Sequence, residues 1–181
     1  MPVTDPCELF DVCDEQDRVI GQAPRGEVHA RGLLHRAVHI FVFNARGELL
    51  LHRRSTQKDE YPLRITSSAS GHLAVGEDYA TAAVRELEEE LGLRATLEFG
   101  ASFPASTDTA NEHTHLYLAH TDATPVPDPD EIESVEWASP AEVARRIADN
   151  PDDFTPPFRV LFEWYEESTQ SRRDAKTRKE R

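Results

Sequence analysis

The chain has 181 residues, of which 38% are hydrophobic and 30% are charged, a balance typical of one globular domain rather than of a disordered chain. Its net charge of −14 argues against a surface for nucleic-acid polymers or anionic membranes, since both need positive potential to gather phosphates. A phosphate-bearing small molecule would therefore have to be bound by local basic side chains or by metal.

The N-terminal region carries neither a secretion signal nor a metal-binding cysteine pattern. Cys7 and Cys13 are the two cysteines, and their spacing fits no known metal or redox motif. The longest purely apolar run, from Ile40 to Phe43, is far too short to cross a bilayer. We expect a cytoplasmic protein with reduced thiols and no membrane association.

The first part of the chain predicts short strands separated by turns. β-branched and aromatic residues flank polar turn sequences there, and small residues follow the last of these strands. Small side chains allow a backbone to approach a ligand closely. The predicted elements are a hairpin-like pair at 8–12 and 19–24, a second hairpin at 35–44 and 48–53, a short strand at 65–68 and a small-residue loop at 67–71.

A helix is predicted from Asp78 to Leu91, because this segment is rich in Ala, Glu, Leu and Arg. Gly92 follows it and is a typical C-terminal stop. Val84, Leu87 and Leu91 recur at helical spacing, so we expect them to form its buried face.

The second half predicts three strands, a proline-rich acidic loop and two helices, one with Pro140 in its first turn and one opened by Pro156 and Pro157. The order of elements predicts an α/β fold with a mixed β-sheet sandwiched between α-helices. Six Lys/Arg against two Asp/Glu make residues 168–181 a basic tail, expected to be frayed or disordered. The segments are strands at 95–103, 114–119 and 134–137, a loop at 125–129, a helix at 140–148, a flexible N-terminus at 1–6 and a single domain at 7–167.

Three carboxylates share one face of the predicted helix. Glu86, Glu89 and Glu90 are spaced i, i+3 and i+4, whereas Glu88 points elsewhere. Crowded carboxylates repel one another unless they hold a hard divalent cation through their oxygen atoms. Mg²⁺ is the expected ion, with Mn²⁺ as a possibility; a solvated acidic face is the simpler alternative.

The spacing around these carboxylates resembles the Nudix box at every position. The pattern is Gly71, five residues, Glu77, seven residues, Arg85-Glu86-Leu87, one residue, Glu89-Glu90, one residue and Gly92-Leu93. The resemblance implies the Nudix fold and three metal ligands, Glu86, Glu89 and Glu90, helped by a backbone carbonyl near Gly71. It implies that Arg85 and Glu77 orient the carboxylates.

The same resemblance implies a reaction. Nudix hydrolases cleave the diphosphate linkage of nucleoside diphosphate derivatives or other small organic diphosphates, using metal to neutralise charge and to activate water. Either Glu86 or a carboxylate outside the box would accept the proton of the water. The expected partner is a small diphosphate substrate, and the protein would be a monomer or a homodimer.

Segments outside the box resemble type I isopentenyl-diphosphate isomerases and the Nudix hydrolases similar to them. By this similarity Arg54 and Lys58 would hold a diphosphate. Each residue also has a simpler interpretation, since Arg54 and Lys58 fit an exposed loop, a histidine can be structural and Glu112 can be a surface residue. The similarity places four residues at a metal site: His29, His35, His72 and Glu112.

Three differences from the isomerases favour hydrolysis over isomerisation. Ser70 stands where the isomerases have a catalytic cysteine, and a hydroxyl is a far weaker acid than a thiol. The box is complete here and eroded in the isomerases, and the stacking tryptophan near the last helix is replaced within Phe154–Phe158. An isomerase and a non-catalytic ligand sensor remain the alternatives, although sensors usually lose metal carboxylates and none is missing.

Overall fold

A seven-stranded mixed sheet lies between helices in the computed structural model of the chain, which describes residues 5–179. The strands are β1 Leu9–Cys13, β2 Val19–Pro24, β3 His35–Phe43, β4 Leu49–Arg54, β5 Ile65–Thr66, β6 Ala69–His72, β7 Leu97–Phe103, β8 Glu112–His120 and β9 Ile132–Ala138. The helices are α1 Arg25–Arg31, α2 Tyr79–Leu91, α3 Pro140–Asp149 and α4 Pro156–Lys179. The α/β sandwich predicted from the sequence is confirmed.

Strand β3 is the centre of the sheet. It runs parallel to β8 in continuous register from His35 opposite Glu112 to Phe43 opposite His120. Its other edge pairs antiparallel with β6 along its first half and with β4 at Phe43. The strand is buried on both faces because helices cover both, which explains its nearly continuous apolar sequence. The parallel register brings His35 and Glu112 to the same end of the sheet.

The two faces of the sheet form two separate cores. On one face α2 packs Ala83, Leu87 and Leu91 against Val38 and neighbouring strand residues. On the other face α3 and α4 pack against the sheet. Phe41, Phe43, Leu49, Leu51, Leu116, Val143, Phe158, Leu161 and Phe162 belong to this second core. The β1–β2 hairpin forms its own two-stranded sheet at the side of the domain.

Helix α2 begins and ends where the sequence predicts. The Asp78 side chain accepts a hydrogen bond from the backbone N–H of Thr81 at 2.9 Å, and Gly92 adopts a left-handed conformation with φ of 62°. The prediction for Val84 is wrong, since its side chain is 53% exposed. The buried face centres on Ala83, Glu86 and Glu90, and Val84 lies about 125° around the axis from that centre at about 100° per residue.

Three local elements differ from the sequence expectation. Residues 67–71 are not entirely loop, because Ala69–His72 forms β6 and pairs with Ala37–Ile40 of β3. Helix α1 was not predicted; it is short and contains Gly26 in its first turn. The expected frayed tail is also different, since α4 continues through Lys179 without an interrupting Gly or Pro.

The flexible N-terminus expected at residues 1–6 falls largely outside the described residues, which exclude 1–4. The carbonyl of Pro6 accepts a hydrogen bond from the N–H of Gly26 at 3.0 Å, so the chain is tied to α1 from there onward. Within residues 5–179, none of the helices combines the length and the apolar composition needed to cross a membrane.

Replacing Leu87 with alanine tests the packing of α2. Leu87 is almost completely buried between the helix and the sheet, so we expect Leu87→Ala to lower the free energy of unfolding by about 2–5 kcal/mol. The exposed Val84 on the same helix is the control, and Val84→Ala should change it by no more than about 0.5 kcal/mol. Urea denaturation followed by circular dichroism measures both. Equal losses in the two variants would contradict the assigned buried face.

Candidate active site

Helix α2 presents two of its three box carboxylates to the protein interior. Glu86 is 9% exposed and Glu90 is 3% exposed, although a charged side chain is seldom buried without a partner. Glu89 lies beside them with most of its side chain exposed. The helix therefore places the two buried carboxylates against the sheet and the third at the rim.

Strand β6 supplies the backbone that these carboxylates face. The N–H of Ser70 donates a hydrogen bond to Oε2 of Glu90 at 3.0 Å. A side chain at position 71 would overlap the carboxylate of Glu86, so Gly71 lets that carboxylate lie directly against the backbone of the strand. Gly71 of the box is therefore explained by a contact with Glu86.

Arg85 connects the box carboxylates to one another. Its guanidinium donates to both carboxylate oxygens of Glu77 at 2.9 and 2.8 Å and to Oε1 of Glu86 at 2.6 Å. It also reaches Oε2 of Glu89 at 3.1 Å and the carbonyl of His72 at 3.1 Å. This fork fixes the position of Glu86 and ties the start of the box to β6.

Burial raises the pKa of both interior carboxyl groups. The pKa of Glu86 is raised to about 7 by burial, against the lowering effect of Arg85. The pKa of Glu90 is raised well above its ordinary value by burial and by the nearby Glu86. Two carboxyl groups that resist ionisation together form a site where a divalent cation would compensate the charge.

A cleft of about 420 Å³ opens beside these carboxylates. Arg54 donates from Nε to the carbonyl of Glu60 at 3.0 Å, and Lys58 forms an ion pair with Glu131. Both basic side chains proposed for diphosphate binding therefore face the same space as the box. The cleft walls include Glu86, Glu89, Glu90, Glu112, Glu131, Arg25, Arg54, Lys58, Arg85, His39, Thr66, Ser70 and Thr155.

A histidine cluster lies at the Glu112 end of the cleft. One ring nitrogen from each of His29, His35 and His72 lies within 4.8 Å of the others. Glu112 lies 2.9 Å from Nε2 of His72 and 3.8 Å from Nε2 of His35. Burial lowers the pKa of each histidine, so the rings are neutral and can offer lone pairs.

Two of the three histidines have a ring nitrogen that is free to bind a cation, and the third does not. Nδ1 of His35 lies 2.9 Å from the carbonyl of Leu33, and the buried Nε2 atoms of His35 and His29 have no partner in the described chain. His72 is different, because Arg25 approaches its Nδ1 at 3.1 Å and can only donate there. That contact leaves the proton of the ring on Nε2, so a cation at His72 requires Arg25 to move.

The sequence model of the NUDIX domain family matches residues 33–164 of this chain. The match includes the whole box and the strands around it.

The chain belongs to the Nudix family.

Its relatives within this family include both isomerases and hydrolases. The chain is 38% identical over 158 residues to an isopentenyl-diphosphate Delta-isomerase of Nocardia farcinica, which covers 83% of this chain and 89% of the relative. It is 34% identical over 151 residues to an uncharacterized Nudix hydrolase of Yersinia pestis, covering 82% and 80%. A crystal structure from Deinococcus radiodurans matches with a TM-score of 0.71 and 31% identity, covering 79% of this chain and 90% of the other.

Several residues of this Nudix cleft escaped prediction. Arg25 lies in the unpredicted α1, and Glu131 follows the proline-rich loop, so neither belongs to a recognisable motif. His39 lies in the apolar strand β3, and His52 lies in β4 behind the cleft; histidines within apolar strands are also typical of structural residues. Arg25 also pairs with Asp59 at 3.1 Å. Only their three-dimensional positions identify them.

The raised pKa of Glu90 predicts how the metal-free protein responds to pH. The neutral carboxyl stabilises the folded state below the ordinary pKa, and this contribution is lost as pH rises through the folded pKa. In EDTA, Glu90→Gln should therefore be more stable than wild type at pH 8 by more than about 1 kcal/mol, with a smaller difference at pH 5. Urea unfolding at both pH values measures this effect.

The exposed Glu89 provides the matched control, because its charge acts on Glu86 only from the rim of the site, so Glu89→Gln should stabilise the protein at pH 8 by less than Glu90→Gln does. A Glu90→Gln variant that tracks wild type at both pH values would show that Glu90 is not a strained buried carboxyl group.

Proposed function

We propose that this Nudix protein is a divalent-metal-dependent hydrolase that cleaves the diphosphate linkage of a nucleoside diphosphate derivative or another small organic diphosphate. The observation that carries the proposal is the convergence of Glu86, Glu89 and Glu90 with Arg54 and Lys58 on one cleft. Carboxylates that hold cations and basic side chains that hold phosphate are the two requirements of diphosphate hydrolysis.

The helix carboxylates have the donor chemistry that Mg²⁺ prefers, and Mn²⁺ accepts the same ligands. Glu86, Glu89 and Glu90 would hold the ion, with the backbone at Gly71 close enough to Glu86 to contribute a carbonyl. A bound cation would neutralise charge on the diphosphate and lower the pKa of the attacking water. Arg85 would keep Glu86 and Glu89 in place through its hydrogen bonds.

The basic side chains of the cleft would bind the diphosphate of the substrate. Arg54 and Lys58 lie opposite a wall of carboxylates, where they provide the local positive potential that a protein of net charge −14 otherwise lacks. Lys58 is paired with Glu131 before substrate binds, so a diphosphate would compete with Glu131 for the ammonium group. This competition limits binding to ligands with strongly charged phosphate groups.

Two carboxyl groups can accept the proton of the water. Glu86 lies in the box, and Glu112 lies at the other end of the cleft beside His72. Burial raises the pKa of both groups, which favours proton uptake near neutral pH. His72 and Glu112, with His29 and His35, are alternatively the ligands of a second cation.

Ser70 favours hydrolysis over isomerisation. It lines the cleft next to Gly71, and its hydroxyl cannot match a thiol as an acid toward a carbon skeleton. The isomerase reaction nevertheless remains the second candidate, because an isopentenyl-diphosphate Delta-isomerase is 38% identical to this chain and because His72 of the histidine cluster lines the same cleft.

A panel of nucleoside diphosphate derivatives and isoprenoid diphosphates tests the proposed hydrolysis. We expect phosphate or monophosphate release that requires Mg²⁺ or Mn²⁺ and stops in EDTA. Glu89→Gln should lower kcat more than about 100-fold, since losing a ligand exceeds the 10- to 100-fold effect of groups that only support ligands. Glu88→Gln is the matched control, because Glu88 points away from the cleft toward Arg94 and should keep wild-type activity.

The competing functions give different results in the same panel. Formation of the allylic isomer from isopentenyl diphosphate by the wild-type chain would contradict the hydrolase proposal. Binding of nucleotides without any hydrolysis would support a ligand sensor instead. Hydrolysis that persists in EDTA and in Glu89→Gln would contradict the assigned metal ligands.

A further inference from the structure

His52 lies in β4 on the face of the sheet that α2 covers. Its side chain is completely buried, and it shares this face with Leu50, which packs in the core beneath α2. Nδ1 of His52 lies 3.6 Å from Oε2 of Glu90, the innermost carboxylate of the box. The strand and the helix thus bring an imidazole directly behind a carboxylate that faces the cleft.

Neither ring nitrogen of His52 makes a hydrogen bond of good geometry among residues 5–179, and the backbone of Ser68 is at most a weak partner of the ring. A buried polar group without a good partner costs about 1–3 kcal/mol, and each such group in a native structure calls for an explanation such as strain, a functional role or a bound ion. The preceding residues Leu49, Leu50 and Leu51 show that apolar side chains pack well along this strand. Packing alone therefore does not explain a histidine here.

We propose that His52 is a positioning residue for Glu90, donating a hydrogen bond from Nδ1–H to Oε2 when that carboxylate is ionised and holds a cation. The inference rests on the proposed function, because it requires a cation at α2. The 3.6 Å separation must shorten to about 2.7–3.2 Å, a small movement of one side chain.

The surroundings of His52 favour this role. A neutral imidazole carries one N–H and one lone pair, so the ring of His52 has one proton that it can donate toward Glu90. The N–H of Ser70 already donates to the same Glu90 oxygen at 3.0 Å. A second donor from the opposite element would fix the carboxylate from both sides and leave Oε1 for the cation. Groups that hold metal ligands in this way commonly contribute 10- to 100-fold to metal affinity.

Direct Mn²⁺ binding to the substrate-free protein tests the inference, using electron paramagnetic resonance to count free ion. His52→Leu removes the donor while keeping an apolar side chain that suits the strand. His52→Asn keeps a side-chain N–H near the position of Nδ1. His113→Leu is the matched control, because His113 is a buried histidine of β8 whose Nε2 lies 2.8 Å from the carbonyl of Asp14. Glu89→Gln identifies the Mn²⁺ that belongs to α2.

We expect His52→Leu to weaken Mn²⁺ binding at α2 by about 10- to 100-fold. His52→Asn should restore affinity to within a few fold of wild type, and His113→Leu should bind as wild type does. In EDTA, His52→Leu should be at least as stable as wild type toward urea, since it removes an unpartnered buried group. If His52 had a purely structural role, His52→Leu would lower stability, and His52→Leu and His52→Asn would not differ in their affinity for Mn²⁺.

Wild-type Mn²⁺ affinity in His52→Leu would overturn the inference and leave the proposed function intact. Wild-type protein that binds Mn²⁺ no better than Glu89→Gln would contradict the proposed function and this inference together. Should His52→Leu fail to fold, His52→Gln serves in its place, because its longer amide moves the donor away from Nδ1. Full affinity in that variant would equally overturn the inference.

Discussion

The burial of Glu86 and Glu90 between α2 and the sheet is the constraint on which the rest of the site depends. Two carboxyl groups in a shared, poorly solvated space cannot both ionise without compensation. Arg85 compensates Glu86 from the rim, and the N–H of Ser70 supports Glu90 from β6. The carboxylate of Glu86 occupies the space that a side chain at position 71 would need, and a glycine leaves that space free. The helix, the strand and the arginine together hold a negative site that a cation would complete.

The same geometry separates the two chemistries known among the relatives. The box carboxylates share one cleft with Arg54 and Lys58 and with Glu112 and His72, the member of the histidine cluster that lines it. Under the proposed function, Ser70 beside the box is the residue expected to favour water rather than a carbon skeleton as the reacting partner.

Helix α2 was predictable because its propensities, its cap at Asp78 and its stop at Gly92 all agree with its tertiary role. Strand β6 was not, since Ala-Ser-Gly-His has little β-propensity and is a strand only through pairing with β3. The exposure of Val84 follows from two glutamates that occupy the centre of the buried face, which hydrophobic spacing does not reveal. His52 carries no sequence signal, because its partner Glu90 is distant in the chain and close only in the folded protein.

The central claim, that the buried carboxylates of α2 form a cation site, is tested most directly by the effect of Mg²⁺ on stability at pH 8. A ligand that binds only the folded state at 100 times its Kd adds about 2.7 kcal/mol to the free energy of unfolding. We predict that saturating Mg²⁺ stabilises the wild-type protein toward urea and has no such effect on a Glu86→Gln, Glu90→Gln double variant. Equal stabilisation of the two proteins, or none in the wild type, would contradict the account.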